Sequence, residues 1–213
     1  MHPIVTLPVN AIDADFKHYV LVQCHEALAA HGFTRFRKER VDWPLENGFH
    51  CWVGLNTAFN STYVEINLFV GVHVVTIEKL WISMKKGKYP GKYDRGVATY
   101  GRHVGELSPN ERVFRFTRQT RVDVEAKRLA RLYATVGLTY AGSMAGYETL
   151  LPLLQERART LGAYPERVAS GLYLRGRADT ARSFTVDFLA QHREYFEGFA
   201  VPFLRMLGRD GVH

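Results

Sequence analysis

Two hydrophobic periods divide this chain, a strand-like alternation in its first half and a helical spacing in its second. Before the alternation begins, Phe16, Val20, Cys24, Ala27 and Leu28 recur at helical intervals. Asp13 stands where an N-cap belongs and Gly32 follows the last turn, so the pattern predicts a first helix over 12–30. Residues 33–41 alternate and are rich in Arg and Lys, as a strand with a charged face would be, and 43–48 carry turn chemistry. The strongest strand signals are 49–55 and 63–74, with Asn60 and Ser61 supplying the turn between them. Side chains alternate across a sheet, so Val64, Ile66, Leu68, Val70, Val72 and Val74 share one face. Tyr63, Glu65, Asn67, Phe69 and His73 share the other. With the turn centred on Asn60, Cys51, Val53 and Leu55 join the apolar face, while His50, Trp52 and Asn56 join the mixed one. Residues 75–84 fit either a strand extension or a short helix, and 97–106 with 112–117 read as a hairpin turning at 108–110.

From Thr120 the period is helical. Thr120 and Asp123 resemble a capping box for a helix running to about residue 136, with Gly137 placed to end it. Further helices are expected over 143–161 (interrupted or restarted at Pro152, closed by Gly162), from Pro165 to before Gly176, over 178–192, and over 193–207 with Pro202 as a kink. Helix, then antiparallel strands, then helices is the order of an α+β protein. The expected architecture is an N-terminal helix packed on an antiparallel sheet of four to five strands, followed by a C-terminal helical half. A single domain over 1–213 is expected, with helix and sheet in 1–118 and a dependent helical portion in 119–213. The only plausible seam is 137–142.

Composition narrows the class. The chain has 213 residues, 46% of them hydrophobic and 23% charged, enough to bury a core and unlike a disordered segment. The most apolar run, 67–77, has about half the ~20 residues of a spanning helix and includes His73, so no membrane partner is expected. The first ten residues lack Lys and Arg and contain Pro3 and Pro8, unlike a secretory signal. Two cysteines do not make a disulfide scaffold, which points to the cytoplasm.

The net charge is +7, from 28 basic and 21 acidic residues, and residues 85–95 alone supply +4 of it. There Lys85, Lys86, Lys88, Lys92 and Arg95 are interleaved with Tyr89 and Tyr93. Cations that track phosphates and rings that stack on bases are the composition of a single-strand-binding segment. Gly87, Pro90, Gly91 and the lack of a second basic cluster favour a solvated connection instead, so nucleic-acid binding is expected to be weak at most.

Recognisable catalytic patterns are missing from the sequence. There is no phosphate-binding G-x-x-x-x-G-K-[ST], no G-x-G-x-x-G after a strand, and residues 142–146 lack the spacing of a nucleophile elbow. Cys24-His25 and His50-Cys51 offer four metal-type ligands, but neighbours on a helix diverge by about 100° and neighbours on a strand face opposite sides. The two thiols are better read as buried where the first helix meets the sheet. No catalytic residue, metal or cofactor is therefore expected. The mixed face, with His50, Trp52, Glu65, Asn67 and Phe69 and an Arg35 or Arg37 nearby, is the candidate site unless the C-terminal helices cover it and make Trp52 and Phe69 core. Tyr173-Leu174-Arg175-Gly176, with Ala181 five residues on, looks like part of a tetratricopeptide hairpin, and as a single copy marks a tight helix–helix turn.

A helix ending in Leu28-Ala29-Ala30-His31-Gly32-Phe33 leads into Arg35-Phe36-Arg37-Lys38-Glu39, then a strand with Trp52-Val53-Gly54-Leu55-Asn56 and the strand over 63–72. This order resembles the bacterial domain-of-unknown-function 4304 family, whose members open with a helix, a Gly-Phe step and a β-meander, and Leu172-Tyr173-Leu174-Arg175-Gly176 is similar to their C-terminal helices. The resemblance implies no catalytic residues. Because some such proteins sit beside bacterial toxin–immunity systems, it implies a non-enzymatic cytoplasmic protein-binding module of the immunity or inhibitor type, with a toxin as partner. The alternatives are a nucleic-acid-binding protein using 85–95, and an enzyme with a site on the mixed face.

Overall fold

The computed structural model describes residues 12–84 and 95–210. It is an α+β structure whose sheet has the strand order β1-β2-β3-β4-β5, with β6 also pairing β4. The strands are β1 (Thr34–Arg37), β2 (Arg40–Pro44), β3 (Phe49–Phe59), β4 (Val64–Val74), β5 (Tyr100–His103) and β6 (Val113–Phe116). The helices are α1 (Ala14–Ala30), α2 (Val75–Met84), α3 (Val104–Leu107), α4 (Val122–Leu132), α5 (Leu138–Ser143), α6 (Tyr147–Leu161), α7 (Pro165–Leu174), α8 (Ala178–Gln191) and α9 (Arg193–Asp210). The described residues form two compact units. The first comprises 12–43, 51–71 and 101–141, and the second 44–50, 72–84, 95–100 and 142–210.

In the first unit α1 begins where the sequence places it. The Asp13 carboxylate accepts the Phe16 N–H at 2.8 Å, satisfying one of the orphan donors of the first turn. Gly32 ends the helix at φ +86°, and a Cβ there would lie 2.4 Å from the Trp43 ring, so both conformation and packing demand glycine. The charged stretch 33–41 is not one strand: the chain reverses after Arg37 into a β1–β2 hairpin with an irregular register between Arg35 and Arg37. The β3–β4 turn is as expected, with Asn60 N–H bonded to Tyr63 O and its side chain accepting from Thr62. The apolar face of β4 is fully buried at Val64, Ile66, Leu68 and Val70, and Cys24 and Cys51 are buried with it. That core is closed by α1 packed on α4 and by Tyr133, whose hydroxyl donates to the Gly54 carbonyl at 3.1 Å.

Three further sequence expectations change. Residues 97–106 and 112–117 do not form a hairpin. β5 is short and runs into α3, and β6 pairs β4 instead, with Glu65 opposite Arg115 and Ile66 opposite Phe114. Thr120 does not cap α4; its hydroxyl accepts the Thr117 N–H, which serves the preceding turn. Gly137 does not end the helix, because a π-helical turn over Tyr133–Gly137 carries it into α5.

The second unit is mainly helical. The ambiguous 75–84 stretch is α2. Pro152 sits inside α6 without breaking it, Gly162 closes α6 in the left-handed region, and Pro165 opens α7. The expected tight turn after Leu174 is present, with Gly176 at φ +71° and Ala181 buried.

Candidate functional site

The outward residues of β4 in the first unit are half-buried, neither core nor free surface. Glu65 organises them. Its Oε2 accepts Arg115 Nε at 2.8 Å from the directly opposed position on β6, and its Oε1 accepts Asn67 Nδ2 at 3.4 Å. The Arg115 guanidinium lies 5.1 Å above the Tyr63 ring, and the hydrogen bond it donates to Glu65 raises its pKa from the ordinary arginine value. Further along, Phe69 meets the His103 ring edge-on at 5.2 Å, while His103 Nδ1 accepts the Gly105 N–H and caps α3.

On β3, Trp52 is only 6% exposed, as a core residue would be, and carries the Arg40 guanidinium 5.1 Å above its ring. Its indole lies along the strand over Gly54, where a Cβ would come within 2.7 Å of Trp52 Cη2 and 3.4 Å of Asn56 Oδ1. Trp52 Nε1–H finds no acceptor among the described residues. The face thus carries two guanidinium–aromatic contacts, Arg40 on Trp52 and Arg115 on Tyr63, the second fixed by the Glu65 carboxylate.

The sequence-predicted set divides between the units. Trp52, Glu65, Asn67 and Phe69 belong to the first unit, with Glu65 and Asn67 hydrogen-bonded. His50 belongs to the second, where its ring stands 6.2 Å from His73. Arg95, exposed, also belongs to the second. Lys85, Lys86, Lys88, Tyr89, Lys92 and Tyr93 lie outside the described residues. Arg35 and Arg37 are exposed on β1, and the arginine that reaches Trp52 is Arg40.

Sequence reasoning missed Arg40, His103 and Arg115 on this face. Arg115 had a usable signal: it is the polar residue of an alternating Val113–Phe116 run, and pairing that run with β4 would have set it opposite Glu65. Also missed was a buried ion pair. Glu78 of α2 and Arg167 of α7 bond at 2.6 and 3.3 Å within the second unit, with Trp81 and Tyr164 rings each 5.1 Å from the guanidinium.

Among the described residues, no cluster of three or more His, Cys, Asp or Glu side chains has metal-binding geometry, and no helix is long and apolar enough to cross a membrane. Comparison of the chain with family models, with curated proteins and with solved structures found no match.

Proposed function

We propose that this chain is a non-enzymatic, cytoplasmic protein-binding module that presents the Tyr63–Glu65–Asn67–Phe69 face to its partner. The observation that carries the reading is the Glu65–Arg115 pair stacked on Tyr63 beside the Phe69–His103 contact. Arginine and large aromatics dominate the energetics of protein interfaces, and side chains already fixed by their neighbours lose little entropy on binding. Arg115 and Asn67 both donate to Glu65, a mutual fixing of polar groups suited to recognition. The likeness of residues 27–80 to the domain-of-unknown-function 4304 family supports the finer assignment, an immunity or inhibitor protein whose partner is a toxin.

A photo-crosslinking residue at position 67, compared in the native cell with one at the exposed Lys127 of α4, tests the reading. The expected result is one discrete protein adduct from position 67 that disappears when Arg115→Glu is added. Equal adducts from both positions, or none from 67, would overturn it. Crosslinks to nucleic acid would transfer the assignment to the basic segment 85–95.

A further inference from the structure

In the second unit, α8 and its C-cap carry three rings at four-residue intervals, Phe184, Phe188 and His192, so the rings share one helix face. Phe184 stacks on Phe188 with centroids 5.7 Å apart, and Phe188 meets His192 at 4.4 Å. Phe188 is buried and packs edge-on against Phe196 of α9 at 5.0 Å, which anchors the row, while Phe184 and His192 are half-buried. The row is one wall of a cleft of about 260 Å³, and α6 supplies the other wall through Ala158.

Charge in this cleft is unbalanced. Asp187 lines it beside the rings, and one helical turn away in either direction stand Ser183, Phe184, Ala190 and Gln191, none of them a cation. Among the described residues the Asp187 carboxylate has no cationic partner and accepts only from the Ser183 hydroxyl, at 3.3 Å. Arg159 lines the α6 wall, but Glu156 holds its guanidinium at 2.8 Å and cancels its charge. An unanswered carboxylate next to aromatic rings attracts organic cations twice over, by charge-assisted hydrogen bonding and by the ring quadrupoles. A guanidinium suits the pair better than an ammonium, because it is planar, weakly hydrated and forked to match a carboxylate. The carboxamide oxygens of Gln155 and Gln191 at the rim can accept its remaining N–H groups.

We propose that this cleft takes an arginine side chain presented by a peptide segment of a partner protein, with the guanidinium on Asp187 and the methylene stem against Phe188 and Ala158. A peptide fits better than the free amino acid because apolar surface continues past the rings. Tyr195 packs 5.6 Å from His192 and donates its hydroxyl to the Gly162 carbonyl, and both Tyr195 and Leu161 are more than half exposed. The residues flanking a peptide arginine would cover them. This site is separate from the sheet face of the first unit and does not depend on it.

Titrating the isotopically labelled full chain with N-acetyl-arginine amide, followed by nuclear magnetic resonance, tests the assignment. Signals of Ala158, Phe188 and the His192 ring should shift and saturate at millimolar probe, while amides of α1 stay level. The citrulline analogue keeps the shape without the charge and should bind about tenfold more weakly. Asp187→Asn, at an exposed position and nearly isosteric, should weaken the arginine probe by about the same factor. No saturable shift at these positions, equal binding of citrulline, or an Asp187→Asn variant that binds like the parent would overturn the site. Free arginine binding more tightly than the blocked form would overturn the peptide source. Arg115→Glu alters only the sheet face and should leave this titration unchanged, so failure here is read separately from failure of the proposed function.

Discussion

Two glutamate–arginine pairs of nearly equal length are treated in opposite ways by this chain. Glu65–Arg115 spans 2.8 Å between neighbouring strands, with the arginine side chain 64% exposed. Glu78–Arg167 spans 2.6 Å between α2 and α7, with its side chains 1% and 10% exposed. The first pair keeps its hydration and orders a surface. The second has surrendered its water, and its stability depends on each charge being answered by the other and by the Trp81 and Tyr164 rings. Distance is therefore a poor guide to energetic weight; burial decides it.

The largest effect should come from breaking the buried pair one-sidedly. Arg167→Met strands the Glu78 carboxylate, and a loss of about 3–5 kcal/mol is expected in urea unfolding. Adding Glu78→Leu removes the stranded charge and should recover most of that loss. A single variant as stable as the parent would show that water reaches the pair.

A second contrast separates the buried pair from the buried thiols of the first unit, which are kept neutral rather than paired. Burial pushes Cys24 up to about 12, and burial with the nearby Asp42 carboxylate does the same for Cys51. The protonated thiols are favoured in the fold, so their contribution is complete below the unfolded thiol pKa of about 8.5 and is lost as pH rises from there toward about 12. Stability should decline above pH about 8.5, and the decline should shrink in Cys24→Val/Cys51→Val. Neither thiol should react with an alkylating reagent at pH 8 until urea unfolds the chain.

The smallest effect is expected at Glu65–Arg115. A double-mutant cycle with Glu65→Gln and Arg115→Gln should give a coupling close to the scatter of the measurement, falling further as salt is raised. A salt-insensitive coupling would mean that this pair is as desolvated as the buried one.

What could be read in advance follows the range of the interactions. The α1 cap at Asp13, the turn at Asn60 and the alternation of β4 are written within a few residues, and each appears in the structure. The charged alternation of 33–41 concealed a hairpin, because its charged residues fit one strand or two equally well. Arg115 was hidden by pairing β6 with β5 instead of β4, a choice that local pattern does not constrain. Glu78 and Arg167 were out of reach, since 89 positions separate them and neither stands in a motif. Gly137 misled for a physical reason: glycine often ends helices, but here a π-helical turn absorbs it.

The strand order also has a consequence during synthesis. β3 and β4 neighbour each other in sequence and in the sheet, so they can zip together as soon as both have left the ribosome. Among the described residues, the other side of β4 pairs with β5 and β6, which are translated later. Ribosomes add about 5–20 residues per second, so a nascent Val64–Val74 strand with a single carboxylate waits seconds with one row of backbone groups unoccupied. The same eleven residues that give the finished sheet its driest face are, for that interval, its most adhesive segment. Slower translation through 75–116 should raise the share of newly made chains that chaperones capture.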